Sequence, residues 1–177
     1  FLPPGGSILD VGAGIGQFLS HAGPGWTVDG TELSPVARRL AKERWNIDLR
    51  EGILEDLALP SASYDAVTLF HVLEHLPFPG RTLDEIHRIL KPGGAVVIAV
   101  PDEWGAATAR LHRCLRLVGA GLPGRGRSGI RTIHTREGLE ELHLSRFRPS
   151  SLRRILTGHG FDVALLGPDP HQPPVGT

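Results

Sequence analysis

Three glycines and one acid are the residues of this chain whose spacing points most clearly to chemistry. Gly12, Gly14 and Gly16 directly follow an apolar run, so the backbone there can approach a bound ligand closely, and a helix after such a turn presents unpaired N–H groups. Glu32 lies 20 residues after Gly12, where a carboxylate can accept both hydroxyls of a ribose. The pattern predicts a site for a nucleoside cofactor, and the simpler alternative is a tight turn with a surface glutamate.

The spacing of these glycines helps to distinguish one nucleoside cofactor from another. A dinucleotide loop is spaced G-x-G-x-x-G, which places the N-terminus of the following helix at a pyrophosphate. Here the spacing is G-x-G-x-G, and Asp10 lies inside the tip of the preceding strand. An anion at that place repels a pyrophosphate but suits a cationic group such as an ammonium. The loop therefore favours S-adenosylmethionine over NAD.

A histidine-rich string, His71-Val-Leu-Glu74-His75, offers groups for proton transfer. The methyl group of a sulfonium is already activated, so an enzyme must mainly align the nucleophile and, for a hydroxyl, remove its proton. Histidine suits that transfer because it titrates near neutrality. We predict His71 as the catalytic candidate nearest the methyl group, with a pocket-shaping residue as the alternative. His75 and His143 are secondary candidates, for which turn stabilisation and packing are the alternatives.

The same string also matches the H-x-x-E-H pattern of certain zinc peptidases. Two histidines and a carboxylate can hold zinc, but that motif requires a long helix. Pro77 and Pro79 interrupt a helix at once, because proline removes a backbone donor and clashes with the preceding turn. Zinc hydrolysis is therefore disfavoured, and the sequence predicts no metal ligands.

Hydrophobic periodicity predicts the elements that position these residues. Strands are predicted over residues 7–11, 26–33, 47–50, 65–70, 95–100 and 161–166. Helices are predicted over residues 15–22, 35–45, 82–90, 103–118 and 150–157. Strands that alternate with helices form right-handed βαβ units. The expected fold is α/β, a doubly wound, mostly parallel, Rossmann-like sheet of about six strands with helices on both faces.

Six segments occur in order between Ser7 and Leu166: ILDVGAGIG, TELS, EDLALPSASYDAV, FHVLEHL, LKPGGAVVIAVP and FRPSSLRRILTGHGFDV. In order and spacing they resemble the class I S-adenosylmethionine-dependent methyltransferases of type 11/23, especially those similar to quinone-biosynthesis O-methyltransferases. The sheet of that family usually closes with a seventh, antiparallel strand. Nothing after Gly167 resembles such a strand, so we expect it to be truncated or absent.

The resemblance implies a cofactor-binding set. By position it comprises Asp10, Gly12, Ala13, Gly14 and Gly16 at the methionine moiety, Glu32 with the adjacent Leu33 at the ribose, Ile53 and Leu54 at the adenine, and Phe70 and His71 at the methyl-donor end. Many relatives have an acid where Ile53 stands, and it accepts a hydrogen bond from the adenine amino group. Ile53 cannot, so either Glu55 or Asp56 substitutes, or backbone and packing alone hold the adenine.

A divalent metal is a further property of some proteins that the chain resembles. In the quinone O-methyltransferases, acids at the first and fourth places of the 71–75 string bind a metal together with the histidine. His71 stands at the first place here, so the resemblance does not extend to that ligand set. The cofactor expected from the sequence is S-adenosylmethionine, and the use of a divalent metal stays open.

The resemblance also divides the chain into parts. The methyltransferase core is expected over residues 1–166, residues 102–148 form an inserted segment that covers the acceptor, and residues 167–177 form a disordered tail. Residues 110–154 contain 11 arginines and 3 glutamates, a balance that can attract an anionic acceptor, although coding bias is the plainer explanation. Aromatic residues do not interleave this basic block, so nucleic acid is not the expected partner.

Composition sets the remaining limits. The 177 residues suffice for one domain with a core, and the longest apolar run, residues 95–100, is too short to span a bilayer. A single cysteine, Cys114, forms no internal disulfide, which favours a cytoplasmic protein. The chain begins at Phe1 and contains no methionine, so we interpret it as a fragment of a longer protein. The sequence gives no indication of oligomeric state.

Together these features predict methyl transfer from S-adenosylmethionine to a small-molecule acceptor, at oxygen, nitrogen or carbon. Two alternatives remain open. The first is an NAD-linked oxidoreductase, against which the glycine spacing argues. The second is a catalytically degenerate domain that binds the cofactor and transfers nothing, which the isoleucine at position 53 makes worth testing.

Overall fold

A parallel four-stranded sheet forms the centre of the computed structural model, which describes residues 5–101, 131–134 and 140–167. Its strands are β1 (Gly6–Val11), β2 (Trp26–Thr31), β3 (Tyr64–Phe70) and β4 (Leu90–Ala99). They lie in the order β2-β1-β3-β4, and every neighbouring pair is parallel. The chain reverses direction across the sheet between β1 and β3, and this switch point is where open α/β sheets bind ligands. The doubly wound α/β fold is confirmed.

Side chains that alternate along the central strands divide the core between the two faces of the sheet. Ile8 and Ala66 face one side and pack with Leu19, whereas Leu9 and Val67 face the other. The first side carries α1 (Gln17–Ser20), against which α2 (Pro35–Trp45) packs. The second side carries α3 (Pro79–Ile89) and α4 (Pro149–Gly158), which bury their leucines and isoleucines there. Helices thus cover both faces, as predicted.

Local signals set the ends of α2, the predicted helix whose bounds agree with the structure. The Ser34 hydroxyl accepts a hydrogen bond from the backbone N–H of Ala37 at 3.3 Å, and Pro35 occupies the first helical position. Asn46 adopts a left-handed conformation with φ 55° and ends the helix. This helix begins three residues after Glu32, and its start therefore fixes the chain next to that acid.

Two predicted strands were wrong. Residues 47–50 form only one isolated bridge, between Arg50 and Thr31. In it the N–H of Arg50 donates to the carbonyl of Gly30, and the carbonyl of Arg50 accepts from the N–H of Glu32. The pairing ends there because the chain turns at Gly52, where φ is 129°. Residues 161–167 form no strand, although Phe161 and neighbouring apolar side chains pack against the core. Apolar periodicity reports which side chains are buried and leaves open whether the backbone pairs with another strand.

The start of β4 also differs from the prediction. The turn expected at residues 91–94 lies inside the strand, because β4 begins at Leu90 directly after α3. Tyr64 pairs with Leu90, whereas Ala66 pairs with Ala95, so the extra residues form an irregularity opposite β3. Residues 95–99 then continue as the regular strand that the sequence predicted.

A two-stranded antiparallel sheet, β5 (Arg131–His134) with β6 (Glu140–His143), lies within the predicted acceptor-covering segment. The sequence indicated no strand there. The predicted helix over 103–118 and all but the first residue of the predicted tail lie outside the described residues, so the division of the chain into core, insertion and tail stays a prediction. None of the described helices is long and apolar enough to cross a bilayer.

Candidate functional site

The register of β1 and β2 brings the glycine loop beside Glu32. Val11 pairs with Thr31, so both strands end together at the carboxyl edge of the sheet. The backbone N–H of Ala13 donates to the carbonyl of Thr31 at 2.8 Å and ties the start of the loop to the end of β2. Residues that lie 20 positions apart in the chain are therefore neighbours in space.

The Glu32 carboxylate itself joins the two segments. One oxygen accepts from the backbone N–H of Gly14 at 2.8 Å, and the other accepts from the N–H of Ser34 at 2.8 Å. An ionised carboxylate offers about four acceptor positions. Two of them stay available for a further pair of donors, which is the number that a ribose diol provides.

The loop glycines have backbone conformations that other residues rarely adopt. The φ angles of Gly12, Gly14 and Gly16 are 70°, 55° and 74°. A Cβ added at Gly12 would lie 2.6 Å from a methyl carbon of Val72, so the packing of Val72 leaves no room for a side chain at this position. A Cβ at Gly14 would meet no described atom within 4 Å, so the surface beside that residue is open to a ligand.

Asp10 is a buried acid behind this loop, with 3% of its surface exposed. Burial raises its pKa from 3.8 to about 6; the hydrogen bond that Thr68 donates at 2.6 Å opposes that rise, and the nearby charge of Glu32 adds to it. The carboxylate lies on β1 opposite Gly30 and Thr68. A cation bound close to it would stabilise the ionised form.

The apolar residues of the predicted cofactor set at positions 33, 53 and 54 differ in exposure. Leu33 and Ile53 are 63% and 43% exposed, so both have surface to offer a flat apolar ring. Leu54 is 1% exposed and packs in the core, which leaves only its backbone to face a ligand. The Glu55 carboxylate accepts a hydrogen bond from the Thr82 hydroxyl of α3. Of the two acids considered as substitutes at the adenine, Glu55 is thus already engaged.

Phe70 and His71 lie at the end of β3, at the same edge of the sheet. The Phe70 ring contacts the Phe18 ring of α1 edge-to-face, with centroids 4.9 Å apart. His71 has a φ of 57°, which is strained for a residue with a Cβ, and its N–H donates to the carbonyl of Ala99 at 2.9 Å. Half of its side chain is exposed, so the imidazole can meet a substrate.

The rest of the histidine-rich string turns inward as a 3₁₀ helix, Leu73–His75. Glu74 is buried, and His71 Nδ1 and His75 Nε2 lie 3.7 Å and 3.9 Å from its Oε1 atom. The His75 ring contacts the His143 ring at the end of β6, with centroids 4.9 Å apart. The sequence named each histidine separately but could not pair His75 with His143, because 68 residues separate them and no local pattern links them.

A cavity of about 630 Å³ lies at a different place, lined by residues from the first part of β1, β2 and β3 rather than from their carboxyl ends. Its lining residues are Ser7, Thr27, Val28, Asp29, Arg50, Leu57, Ala58, Leu59, Pro60, Ser63 and Tyr64. Asp29 accepts hydrogen bonds from the Arg50 guanidinium at 2.9 Å and from the Tyr64 hydroxyl at 2.7 Å. Asp29, Arg50 and Tyr64 thus bond to one another, and none of the predicted cofactor residues lines this cavity.

Comparison with a family of known proteins gives an independent result. The family described as "Methyltransferase domain" matches residues 1–166. A curated relative from Xanthomonas axonopodis pv. citri, named ubiquinone biosynthesis O-methyltransferase, is 38% identical over 125 residues, which cover 67% of this chain and 50% of that protein. Its namesake from Xanthomonas oryzae pv. oryzae is 35% identical over 123 residues, 66% of this chain and 49% of that protein. The chain spans about half the length of these relatives.

Solved structures support the fold. An S-adenosylmethionine-dependent methyltransferase from Methanosarcina mazei matches with a TM-score of 0.68 and 20% identity, covering 90% of this chain and 81% of the other. Another, from Mesorhizobium loti, matches with a TM-score of 0.61 and 21% identity, covering 91% and 77%. At such low identity the likeness concerns the arrangement of helices and strands.

The pKa of Asp10 gives a testable pH dependence. Because the folded state raises this pKa from 3.8 to about 6, it binds the proton more tightly than the unfolded state, and the stabilisation present below pH 4 is lost as the pH rises through 6. The variant Asp10→Asn lacks this loss. Its free energy of unfolding relative to wild type should rise by about 2 kcal/mol between pH 4 and pH 7.5 in urea titrations.

The matched control for this measurement is Asp48→Asn, since Asp48 is an exposed acid paired with Lys42. We expect that control to show no comparable gain at neutral pH. A difference between Asp10→Asn and wild type that stays constant from pH 4 to pH 7.5 would show that Asp10 has an ordinary pKa.

Proposed function

The chain belongs to the methyltransferase-domain family, and from that membership we propose that it transfers a methyl group from S-adenosylmethionine to a small-molecule acceptor. The observation that carries the proposal is the contact between the Glu32 carboxylate and the N–H of Gly14 at 2.8 Å. It supports a single nucleoside site built from the glycine loop and the acid after β2. The cofactor would supply an activated methyl group, and the protein would supply position and a local field.

The adenosine part of the cofactor would lie across the ends of β1 and β2. The acceptor positions left on Glu32 suit the two ribose hydroxyls, and the open surface beside Gly14 gives the cofactor room to approach the backbone. Leu33 and Ile53 would pack against the adenine, since both are exposed apolar side chains. Leu33 follows β2 closely in the chain, and Ile53 follows Arg50, which bridges to Thr31 at the end of β2.

The amino-acid part of the cofactor would lie toward Asp10. The ammonium of S-adenosylmethionine is a cation, and a buried carboxylate with a raised pKa gains most from a positive partner. A pyrophosphate at the same place would meet repulsion from Asp10. Asp10 therefore favours the sulfonium cofactor over a dinucleotide, which argues against an NAD-linked oxidoreductase.

The acceptor is a small molecule of unidentified structure. The curated relatives carry names that include O-methyltransferase, so hydroxyl compounds form the first class to screen, followed by amines and carbon acids. The basic composition of residues 110–154 suits an anionic acceptor. The cytoplasmic location expected from the single cysteine stays a prediction.

Replacing Glu32 tests the cofactor site. We expect Glu32→Ala to weaken the binding of S-adenosylhomocysteine on the order of 10- to 100-fold in calorimetry, because hydrogen bonds to a charged group contribute about 1.5–3 kcal/mol. Glu43→Ala is the matched control, because Glu43 is an exposed acid on α2 that pairs with Arg39. Equal affinity for both variants would remove Glu32 from the site, and absence of heat with the wild type would refute the cofactor.

Replacing His71 tests the proposed base. His71 lies beyond the end of β3 with a half-exposed imidazole, and the distal Nε2 atom would reach the acceptor while Nδ1 faces Glu74. In His71→Gln we expect kcat to fall about 100-fold or more, as for loss of a general base, with the Kd for S-adenosylhomocysteine nearly unchanged. His21→Gln, an exposed histidine at the end of α1, is the control.

Two outcomes of the turnover assay would change these proposals. Unchanged kcat in His71→Gln would leave His71 as a residue that only shapes the pocket. Tight binding of S-adenosylhomocysteine without turnover on any hydroxyl, amine or carbon acceptor would favour the catalytically degenerate domain, for which the isoleucine at position 53 is the sequence signal.

A further inference from the structure

We propose that Glu74, His75 and His143 bind one divalent transition-metal ion, with zinc as the best-suited species. The three side chains each offer one ligand atom, and these atoms all lie within 4.8 Å of one another. The cluster joins the 3₁₀ helix after β3 to the end of β6. The proposal goes beyond methyl transfer and does not depend on the cofactor.

The first argument is the state of Glu74. Its side chain is 2% exposed, and within the described part of the chain neither of its carboxylate oxygens accepts a hydrogen bond. Burial of an ionised carboxylate is costly unless the group is paired, hydrogen-bonded or bound to a metal. The histidine nitrogens nearest to it, on His71 and His75, lie 3.7 Å and 3.9 Å away, beyond hydrogen-bond length. A cation between these groups would satisfy the carboxylate.

The second argument is the chemistry of the ligand set. Two imidazoles and one carboxylate suit zinc and neighbouring transition metals, whereas magnesium and calcium prefer oxygen ligands. Zinc binds nitrogen and oxygen at about 2.0–2.2 Å, so its ligand atoms lie about 3.3–3.6 Å apart in a tetrahedron. Small side-chain rotations would bring atoms within 4.8 Å to that spacing. Three protein ligands would leave a fourth position for water or an acceptor oxygen.

The third argument is that the backbone already holds the ligands together. The N–H groups of Leu144 and Ser145 both donate to the carbonyl of Glu74, at 2.9 Å and 3.0 Å. These bonds hold Leu144, which directly follows His143, against Glu74, which directly precedes His75. A metal there would need little rearrangement of the chain, and it would link the β5–β6 hairpin to the edge of the sheet where His71 lies.

This ligand set differs in one member from the set that the resemblance implied. In the quinone O-methyltransferases, two acids and a histidine from the 71–75 string bind the metal. Glu74 and His75 stand at the places of the second acid and the histidine, whereas His71 stands where the first acid would be. The proposed third ligand instead comes from β6, far along the chain. The sequence predicted no metal ligands, because the contact between His75 and His143 on which the proposed site rests appears only in the fold.

Metal titration of the untagged full chain tests the proposal. After dialysis against EDTA and then metal-free buffer, Zn²⁺ alone is added in a calorimeter, and Co²⁺ is added in parallel to record its visible absorption. We expect one equivalent to bind, with intense tetrahedral Co²⁺ bands and a Tm raised by zinc. His143→Gln, His75→Gln and Glu74→Gln should each weaken binding about 100-fold or more, since even residues that only support ligands contribute 10–100-fold.

His21→Gln is the matched control, since it removes an exposed histidine at the end of α1 and should leave the affinity unchanged. Circular dichroism of each variant separates loss of a ligand from loss of the fold, and the three variants test the same site independently. Absence of saturable binding by the wild type, or an affinity that His143→Gln and His75→Gln both leave unchanged while folded, would overturn the proposal.

Calorimetry with S-adenosylhomocysteine on the same samples separates this proposal from the one above. Binding of zinc without binding of S-adenosylhomocysteine would support the metal site and refute the proposed methyl transfer. Binding of S-adenosylhomocysteine without binding of zinc would support the cofactor site and refute the metal site.

Discussion

The parallel register of β1 and β2 is the constraint on which the rest of the candidate site depends. Because Val11 pairs with Thr31, the loop after one strand and the acid after the other leave the sheet side by side. The Glu32 carboxylate then bonds to Gly14, and the left-handed glycines keep the loop free of side chains on its open surface. A slip of one residue would turn Glu32 to the opposite face and separate the two parts.

Two buried carboxylates at this edge of the sheet raise a common energetic question. Asp10 lies on the β1 side of the switch point and Glu74 follows β3, and both have lost nearly all contact with water. A contribution to the stability of the fold does not explain why these two carboxylates are buried, since burial of a charge costs free energy. The two proposals would account for both carboxylates, with an ammonium beside Asp10 and a metal beside Glu74. His71 lies in the chain between β3 and Glu74, and half of its side chain is exposed.

The sequence predicted features whose causes are local, and it failed where the cause is distant. Ser34 and Pro35 specify the start of α2 through their own chemistry, and the glycine loop follows from its spacing, so both were predicted. Residues 47–50 alternate apolar and charged side chains as a strand does, yet a single bridge at Arg50 is all that forms, because the pairing depends on where the chain turns next. The contact of His75 with His143 depends on how β6 folds back, which no local pattern encodes.

A crystal structure of the chain with S-adenosylhomocysteine tests the central claim most directly. We predict one ligand across the ends of β1 and β2, with both ribose hydroxyls about 2.6–3.0 Å from the Glu32 carboxylate oxygens and the backbone of Gly14 against the ligand. Ligand density at another place, for example in the cavity lined by Asp29 and Tyr64, or a Glu32 side chain that points away from the ribose, would contradict it.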